Sequence, residues 1–78
     1  MDIKDLRVKI DEIDKGMVEL FAERMDIASK IAEYKRETGM PVLDAARERQ
    51  KLAEVADLAG DDMRDYVTVL YSLLFELS

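Results

Sequence analysis

The feature that most constrains the fold is a run of apolar residues at helical spacing through the first half of the chain. They recur in alternating steps of three and four residues, interrupted once, at Ile3, Leu6, Ile10, Ile13, Met17, Leu20, Ile27, Ile31 and Tyr34. This spacing lines one face of an α-helix and is typical of a packed helix seam. Asp2 is suited to cap the start of such a helix, and Gly39 followed by Pro41 is suited to end it. The pattern therefore predicts a first helix over about residues 2–38.

The rest of the chain predicts two shorter helices. Asp44 is a plausible N-cap for a second helix over about residues 44–59, which Gly60 ends. A third helix begins near Asp61 or Asp62 and continues to about residue 78. Its apolar positions cover a wide face: Met63, Tyr66, Val67, Leu70, Leu73, Leu74 and Leu77. No strand alternation or repeat is present, so we expect an all-α fold in which residues 1–78 form a single domain.

The length of the first helix bears on the quaternary structure. A helix of this length spans about 55 Å, whereas a compact chain of this size has a radius of gyration of about 11–12 Å. Two short helices of the same chain cannot cover the whole apolar seam. We therefore predict an intertwined homodimer in which the two long helices pack along each other. The alternative is a monomer whose first helix breaks at Gly16.

Composition excludes several kinds of function. The chain has no cysteine and no histidine, which removes disulfides, thiolate metal sites, the usual general base and the commonest metal ligand. We therefore expect no metal site. A net charge of −6 without a basic stripe argues against nucleic acid as a partner. No apolar run is long enough to span a membrane and no signal peptide opens the sequence, so we expect a cytoplasmic protein.

Arg24 falls where the seam of the first helix requires an apolar residue. A guanidinium keeps its proton and is costly to bury without an anionic partner. One interpretation is that a carboxylate inside the bundle pairs with Arg24, and Glu48 is the main candidate. The other is that Arg24 faces a cavity that receives an anion from outside the chain.

Other charged residues strengthen the second interpretation. Lys35 follows Arg24 by eleven positions, so both project from nearly the same helix face, about 16 Å apart. That gap has the size of a small metabolite. In the second helix Glu48 falls in phase with the apolar stripe, and Arg47 lies beside it. Taken singly, Lys35 and Arg47 are also typical of solvated surface charges, and Asp44 of a simple helix cap.

These residues lie in segments that resemble a known family. The segments read LRVKIDEID at residues 6–14, LFAER at residues 20–24, IAEYK at residues 31–35 and PVLDAARER at residues 41–49. They are similar to the all-helical class of chorismate mutases, with the spacing from Arg24 to Lys35 and Glu48 kept without a gap. The resemblance is strong over about residues 5–50. The third helix matches in pattern only, through Tyr66, its apolar run and Ser78.

The resemblance implies conversion of chorismate to prephenate, a unimolecular rearrangement in phenylalanine and tyrosine biosynthesis that uses no metal or cofactor. By analogy, Arg24 binds a substrate carboxylate, and Lys35 reaches a carboxylate and the ether oxygen. Glu48 accepts a hydrogen bond from the ring hydroxyl. The backbone near Asp44 contributes a contact, Arg47 assists electrostatically, and Ser78 lies at the pocket edge.

The resemblance also assigns Arg7 to the active site of the other subunit. Arg7 lies about 42 Å along the first helix from Lys35 and about 25 Å from Arg24, which is too far for one pocket within one chain. In a two-fold dimer this gives two equivalent composite sites.

The end of the chain departs from the family pattern. The family supplies a Gln or Glu four residues beyond the position of Ser78, so we expect a truncated third helix and weakened activity, or the mutase portion of a longer polypeptide. Two other functions stay open. One is a related lyase that removes pyruvate from isochorismate, and the other is a catalytically silent helical dimerisation or regulatory module.

Overall fold

The computed structural model describes residues 2–78, and its helices are α1 (Ile3–Thr38), α2 (Ala45–Ala59) and α3 (Arg64–Leu77). No strand occurs among these residues, so the predicted all-α class is confirmed. The chain divides into two compact units with the boundary after Glu33, inside α1. None of the helices in the described range is long and apolar enough to cross a membrane.

The ends of α1 are fixed by residues that the sequence marks. The Asp5 backbone N–H donates to the Asp2 carboxylate at 3.0 Å, which caps the helix start. At the other end Gly39 has a φ of +75°, and the Met40 N–H donates to the Lys35 carbonyl at 2.8 Å. This hydrogen bond is that of a Schellman motif, whose left-handed position favours glycine.

The apolar seam of α1 is not covered within the single chain. No residue of α1 is buried, and Ile10, Ile13 and Ile31 each expose half of their surface or more. The helix continues through Gly16, so the alternative in which it breaks there is wrong. An apolar seam of this exposure, interrupted at Arg24, is typical of an interaction surface.

The second unit is built around the α2–α3 hairpin. The two helices pack on each other, and the residues buried within the described chain are Val55 and Ala56 of α2. The Arg64 guanidinium contacts the Asp57 carboxylate at 3.1 Å. Because this pair is partly exposed, it contributes about 0–1 kcal/mol to the free energy of unfolding. Apolar packing of the two helix faces therefore holds the hairpin.

The predicted start of α3 near Asp61 or Asp62 is slightly early. Gly60 ends α2 with a φ of +80°, and the Met63 N–H donates to the Gly60 carbonyl at 3.2 Å. Asp61 and Asp62 therefore belong to the turn, and Met63 occupies the N-cap position without a side-chain cap. The α3 helix therefore begins only after this turn, at Arg64.

Candidate active site

A cavity of about 370 Å³, open to solvent, lies at the α2–α3 hairpin, inside the second unit. Its walls come from the connector before α2, from α2 and from α3. The apolar residues that line it are Leu43, Leu52 and Phe75, and the polar ones are Glu48, Ser72 and Glu76. A mostly apolar pocket with a few convergent polar groups is the usual form of a small-molecule site.

Glu48 reaches the cavity because the cap of α2 fixes the first helical turn. The Asp44 carboxylate accepts a hydrogen bond from the Arg47 N–H at 3.0 Å, which confirms Asp44 as the N-cap. The Asp44 carbonyl accepts from the Glu48 N–H at 3.1 Å. The half-buried Glu48 side chain therefore projects from an ordered turn, near the helix end where a carboxylate is electrostatically favoured.

Lys35 anchors the connector next to this cavity. Its half-buried side-chain ammonium donates a hydrogen bond to the Val42 carbonyl at 3.3 Å. The following residue, Leu43, lines the cavity. An ammonium carries three donors, so this single bond leaves two N–H groups of Lys35 for an anionic or ether oxygen.

Lys35 itself does not line the cavity, and neither do the three other predicted site residues of this unit. The exposed Asp44 uses its carboxylate as the helix cap. The exposed Ser78 donates its hydroxyl proton to the Leu74 carbonyl at 2.9 Å. Arg47 is exposed as well. Their proposed contacts with substrate stay predictions.

The charge of Arg47 acts on a neighbouring carboxylate of α2. The pKa of Glu54 lies below its ordinary value, first because Lys51 donates a hydrogen bond to it at 2.8 Å and adds its positive charge. Arg47 lowers the pKa further through its own charge. Arg47 therefore belongs to a small network of charges along the exposed side of α2.

The other two predicted site residues, Arg7 and Arg24, belong to the first unit. Arg7 is exposed and Arg24 is half-buried on α1. Their roles toward a substrate stay predictions, as does the alternative in which Arg24 pairs with Glu48.

Sequence analysis missed two polar residues of the cavity, Ser72 and Glu76. The two are four residues apart and share one face of α3, but the wide spread of apolar positions in α3 keeps that face from standing out in the sequence. Phe75, which lies beside Glu76 in the sequence, contributes to the apolar wall. The polar pair therefore lies beside the apolar positions of α3 and is exposed, unlike Glu48, which falls in phase with the apolar stripe of α2.

Comparison with known proteins gives the family. A model of the family described as chorismate mutase type II matches residues 6–78. The chain belongs to the chorismate mutase type II family. This confirms the resemblance, which is strong over about residues 5–50 and holds in pattern only through the third helix.

Individual relatives of the chain support the same family assignment. The chain is 33% identical over 69 residues to a T-protein of Haemophilus influenzae, covering 81% of the chain and 18% of that protein. It is 43% identical over 47 residues to a chorismate mutase of Methanocaldococcus jannaschii, covering 60% and 48%. It is 33% identical over 79 residues to a bifunctional chorismate mutase/prephenate dehydratase of Buchnera aphidicola subsp. Schizaphis graminum, covering 99% and 20%.

The matched region is thus a small part of two of these relatives and about half of the third. No solved structure matches the chain significantly.

Proposed function

We propose that this chain is a chorismate mutase, which rearranges chorismate to prephenate without a metal, cofactor or covalent intermediate, in the cytoplasm. The observation that carries the proposal is the family match over residues 6–78. The contact of Lys35 with the connector beside the cavity that Glu48 lines adds support. Both residues are of the types that the reaction requires.

The reaction requires the protein to restrain the substrate and to stabilise the charge that develops on it. The substrate is a flexible dicarboxylate, and it must be held in its compact reactive conformer. Negative charge then develops on the ether oxygen as the C–O bond breaks. Donors preorganised at that oxygen stabilise the transition state more than the ground state. The reaction transfers no proton to the enzyme, so a site without histidine or cysteine suffices.

The proposed roles follow from these demands. Lys35 donates its remaining N–H groups to the ether oxygen and to a carboxylate, and Glu48 accepts a hydrogen bond from the ring hydroxyl. Arg24 binds a carboxylate in bidentate geometry, which favours arginine over lysine.

We assign smaller contributions to substrate binding to three other residues. Arg47 adds positive potential, the backbone near Asp44 adds a contact, and Ser78 stands at the edge of the site. None of these three lines the cavity in the single chain.

The proposal includes a homodimer. The exposed apolar seam of α1, in which no residue is buried, supports a second copy as its cover. In that dimer Arg7 of the partner subunit completes each site. Two equivalent sites follow from the two-fold axis, because each subunit gives its Arg7 to the other.

The decisive experiment is incubation of the purified chain with chorismate. We expect chorismate absorbance to fall faster than in buffer and prephenate to be the product. A Glu48→Gln variant should be slower, whereas Glu12→Gln, on an exposed position of α1, is the matched control. Release of pyruvate from isochorismate, without prephenate formation, would instead assign the lyase activity. No turnover by a fully helical protein would assign a silent binding or dimerisation module.

A further inference from the structure

The polar groups that line the cavity are all hydrogen-bond acceptors. Glu48 and Glu76 carry carboxylates, which only accept when ionised. Ser72 has a single hydroxyl proton, and it donates that proton to the Thr68 carbonyl at 2.8 Å. The hydroxyl therefore offers only lone pairs to a ligand. A molecule in this cavity meets apolar carbon and three acceptors.

The negative charge of the cavity is not neutralised by ion pairs within the second unit. Within the second unit, residues 34–78, neither Glu48 nor Glu76 takes part in an ion pair or a side-chain hydrogen bond. Two cations of the hairpin are paired elsewhere, Lys51 with Glu54 at 2.8 Å and Arg64 with Asp57 at 3.1 Å. Glu48 is half-buried and Glu76 is exposed, and the like charges of these two carboxylates at one cavity repel anions.

The substrate of the proposed reaction has one end that suits this cavity and two groups that do not. A ring hydroxyl is a donor, and an acceptor-only cavity admits it. A carboxylate brings a like charge and no proton, so the same cavity rejects it. The Lys35 ammonium, which holds the connector residue before Leu43, attracts carboxylates instead.

We propose that Glu76 is an orientation-determining residue, which together with Glu48 excludes substrate carboxylates from this cavity and so prevents reversed, unproductive binding. This inference rests on the proposed mutase activity. Glu48 alone accepts the hydroxyl. The second charge of Glu76 is what makes a misplaced carboxylate unfavourable.

A substrate that also binds in the reversed orientation changes kcat and KM together. Glu76→Gln removes the charge, keeps the shape and adds an amide donor, so a reversed substrate becomes able to bind. Unproductive binding lowers kcat and KM by the same factor and leaves kcat/KM unchanged, and we expect a decrease of about threefold or more in both constants. Glu76→Asp keeps the charge and should retain the wild-type values of both constants. Asp62→Asn, an exposed position outside the cavity, controls for the change in net charge.

A dicarboxylate without a hydroxyl gives a second readout. Terephthalate should bind Glu76→Gln roughly tenfold more tightly than it binds the wild type, a difference of about 1.4 kcal/mol. Calorimetric titration measures this without turnover, and circular dichroism establishes that the variants are folded.

Several outcomes would overturn the inference. A fall in kcat/KM of Glu76→Gln would indicate a catalytic or structural role, and unchanged constants would indicate no role. Low values for folded Glu76→Asp would also contradict it. An inactive wild type refutes the proposed function instead, and equal terephthalate affinities of wild type and Glu76→Gln would then refute the acceptor-only cavity separately.

Discussion

The ammonium of Lys35, in the last turn of α1, donates a hydrogen bond to the backbone carbonyl of Val42 at 3.3 Å. Val42 lies in the connector between α1 and α2, one residue before Leu43 at the cavity wall and two before the cap Asp44. The Lys35 side chain, which we assign to the ether oxygen of the substrate, therefore also holds the connector next to the cavity. Substitution of Lys35 should therefore lower both catalysis and stability, but catalysis far more than stability.

We predict that Lys35→Met reduces kcat/KM at least about a hundredfold, the usual cost of removing a donor from a developing oxyanion. The free energy of unfolding should fall by only about 0.5–1.5 kcal/mol, because one hydrogen bond to a carbonyl is lost. Chorismate kinetics and urea unfolding measure the two effects. Lys30→Met, which removes an exposed partner of Asp26 on the same helix, should leave kcat/KM near that of the wild type. A loss of stability large enough to account for the loss of activity would contradict the assignment of Lys35.

Arg24→Met separates the two interpretations of the charge in the α1 seam. If Arg24 binds a substrate carboxylate, the variant should stay near wild-type stability and lose turnover. If Arg24 neutralises Glu48 inside the bundle, removing it strands a carboxylate and shifts stability by about 3–5 kcal/mol. Thermal unfolding of Arg24→Met, Glu48→Gln and the double variant measures the coupling of the two residues. A strong coupling energy with a proportionate loss of activity would support the internal pair.

The ends of helices could be predicted because single residues set them. Asp44 accepts from an N–H three residues on, and Gly39 takes up a positive φ, and both are local effects of one side chain or of its absence. The start of α3 could not be read in the same way. Asp61 and Asp62 are both good capping residues, and the turn that Gly60 initiates takes both of them before the helix begins.

The site was predictable where a charge interrupts an apolar stripe. Glu48 stands out in this way, and the structure places it at the cavity. Glu76 and Ser72 do not stand out, because α3 is apolar over so wide a face that its helical phase does not single out one stripe. Only the packing of α3 on α2 decides which of its residues meet Glu48 at one cavity.

The lowered pKa of Glu54 gives a pH-dependent prediction. Because the folded pKa lies below the ordinary value, this carboxylate contributes stability at pH values above its unfolded pKa. The contribution is lost as pH falls through the folded pKa. Lys51→Met should raise the pKa of Glu54, since the hydrogen bond and charge of Lys51 are its main causes. Carbon-detected NMR titration of the Glu54 carboxyl measures the change, and an unchanged pKa would contradict the contact.

The exposed seam of α1 predicts that folding is coupled to association. The denaturation midpoint should rise with protein concentration, because mass action stabilises a folded dimer but not a folded monomer. Ile13→Glu, in the middle of the seam, should dissociate the dimer and reduce helicity, whereas Glu12→Lys next to it should not. Sedimentation and circular dichroism over a range of concentrations measure both effects. A monomer that keeps its helicity at low micromolar concentration would refute the dimer.

The sharpest prediction joins quaternary structure to chemistry through Arg7. Arg7→Ala and Lys35→Ala should each be inactive as homodimers, because every site lacks one required group. In a mixed dimer with shared sites, one site lacks both groups and the other lacks neither. Exchange of subunits between the two variants should therefore restore activity to at most about a quarter of the wild-type value, since half of the dimers are mixed and each has one intact site.

The control for this experiment is a pair of variants that must not complement each other. We assign Lys35 and Glu48 to the part of each site that one chain contributes. In a mixture of Lys35→Ala and Glu48→Gln every site therefore keeps one defect, and activity should not recover. Native mass spectrometry establishes how many dimers are mixed in each case. If Arg7 acted within its own chain, its mixture with Lys35→Ala would behave like this control, because each site would still carry one defect. Mixed dimers without restored activity would therefore exclude a site shared between subunits.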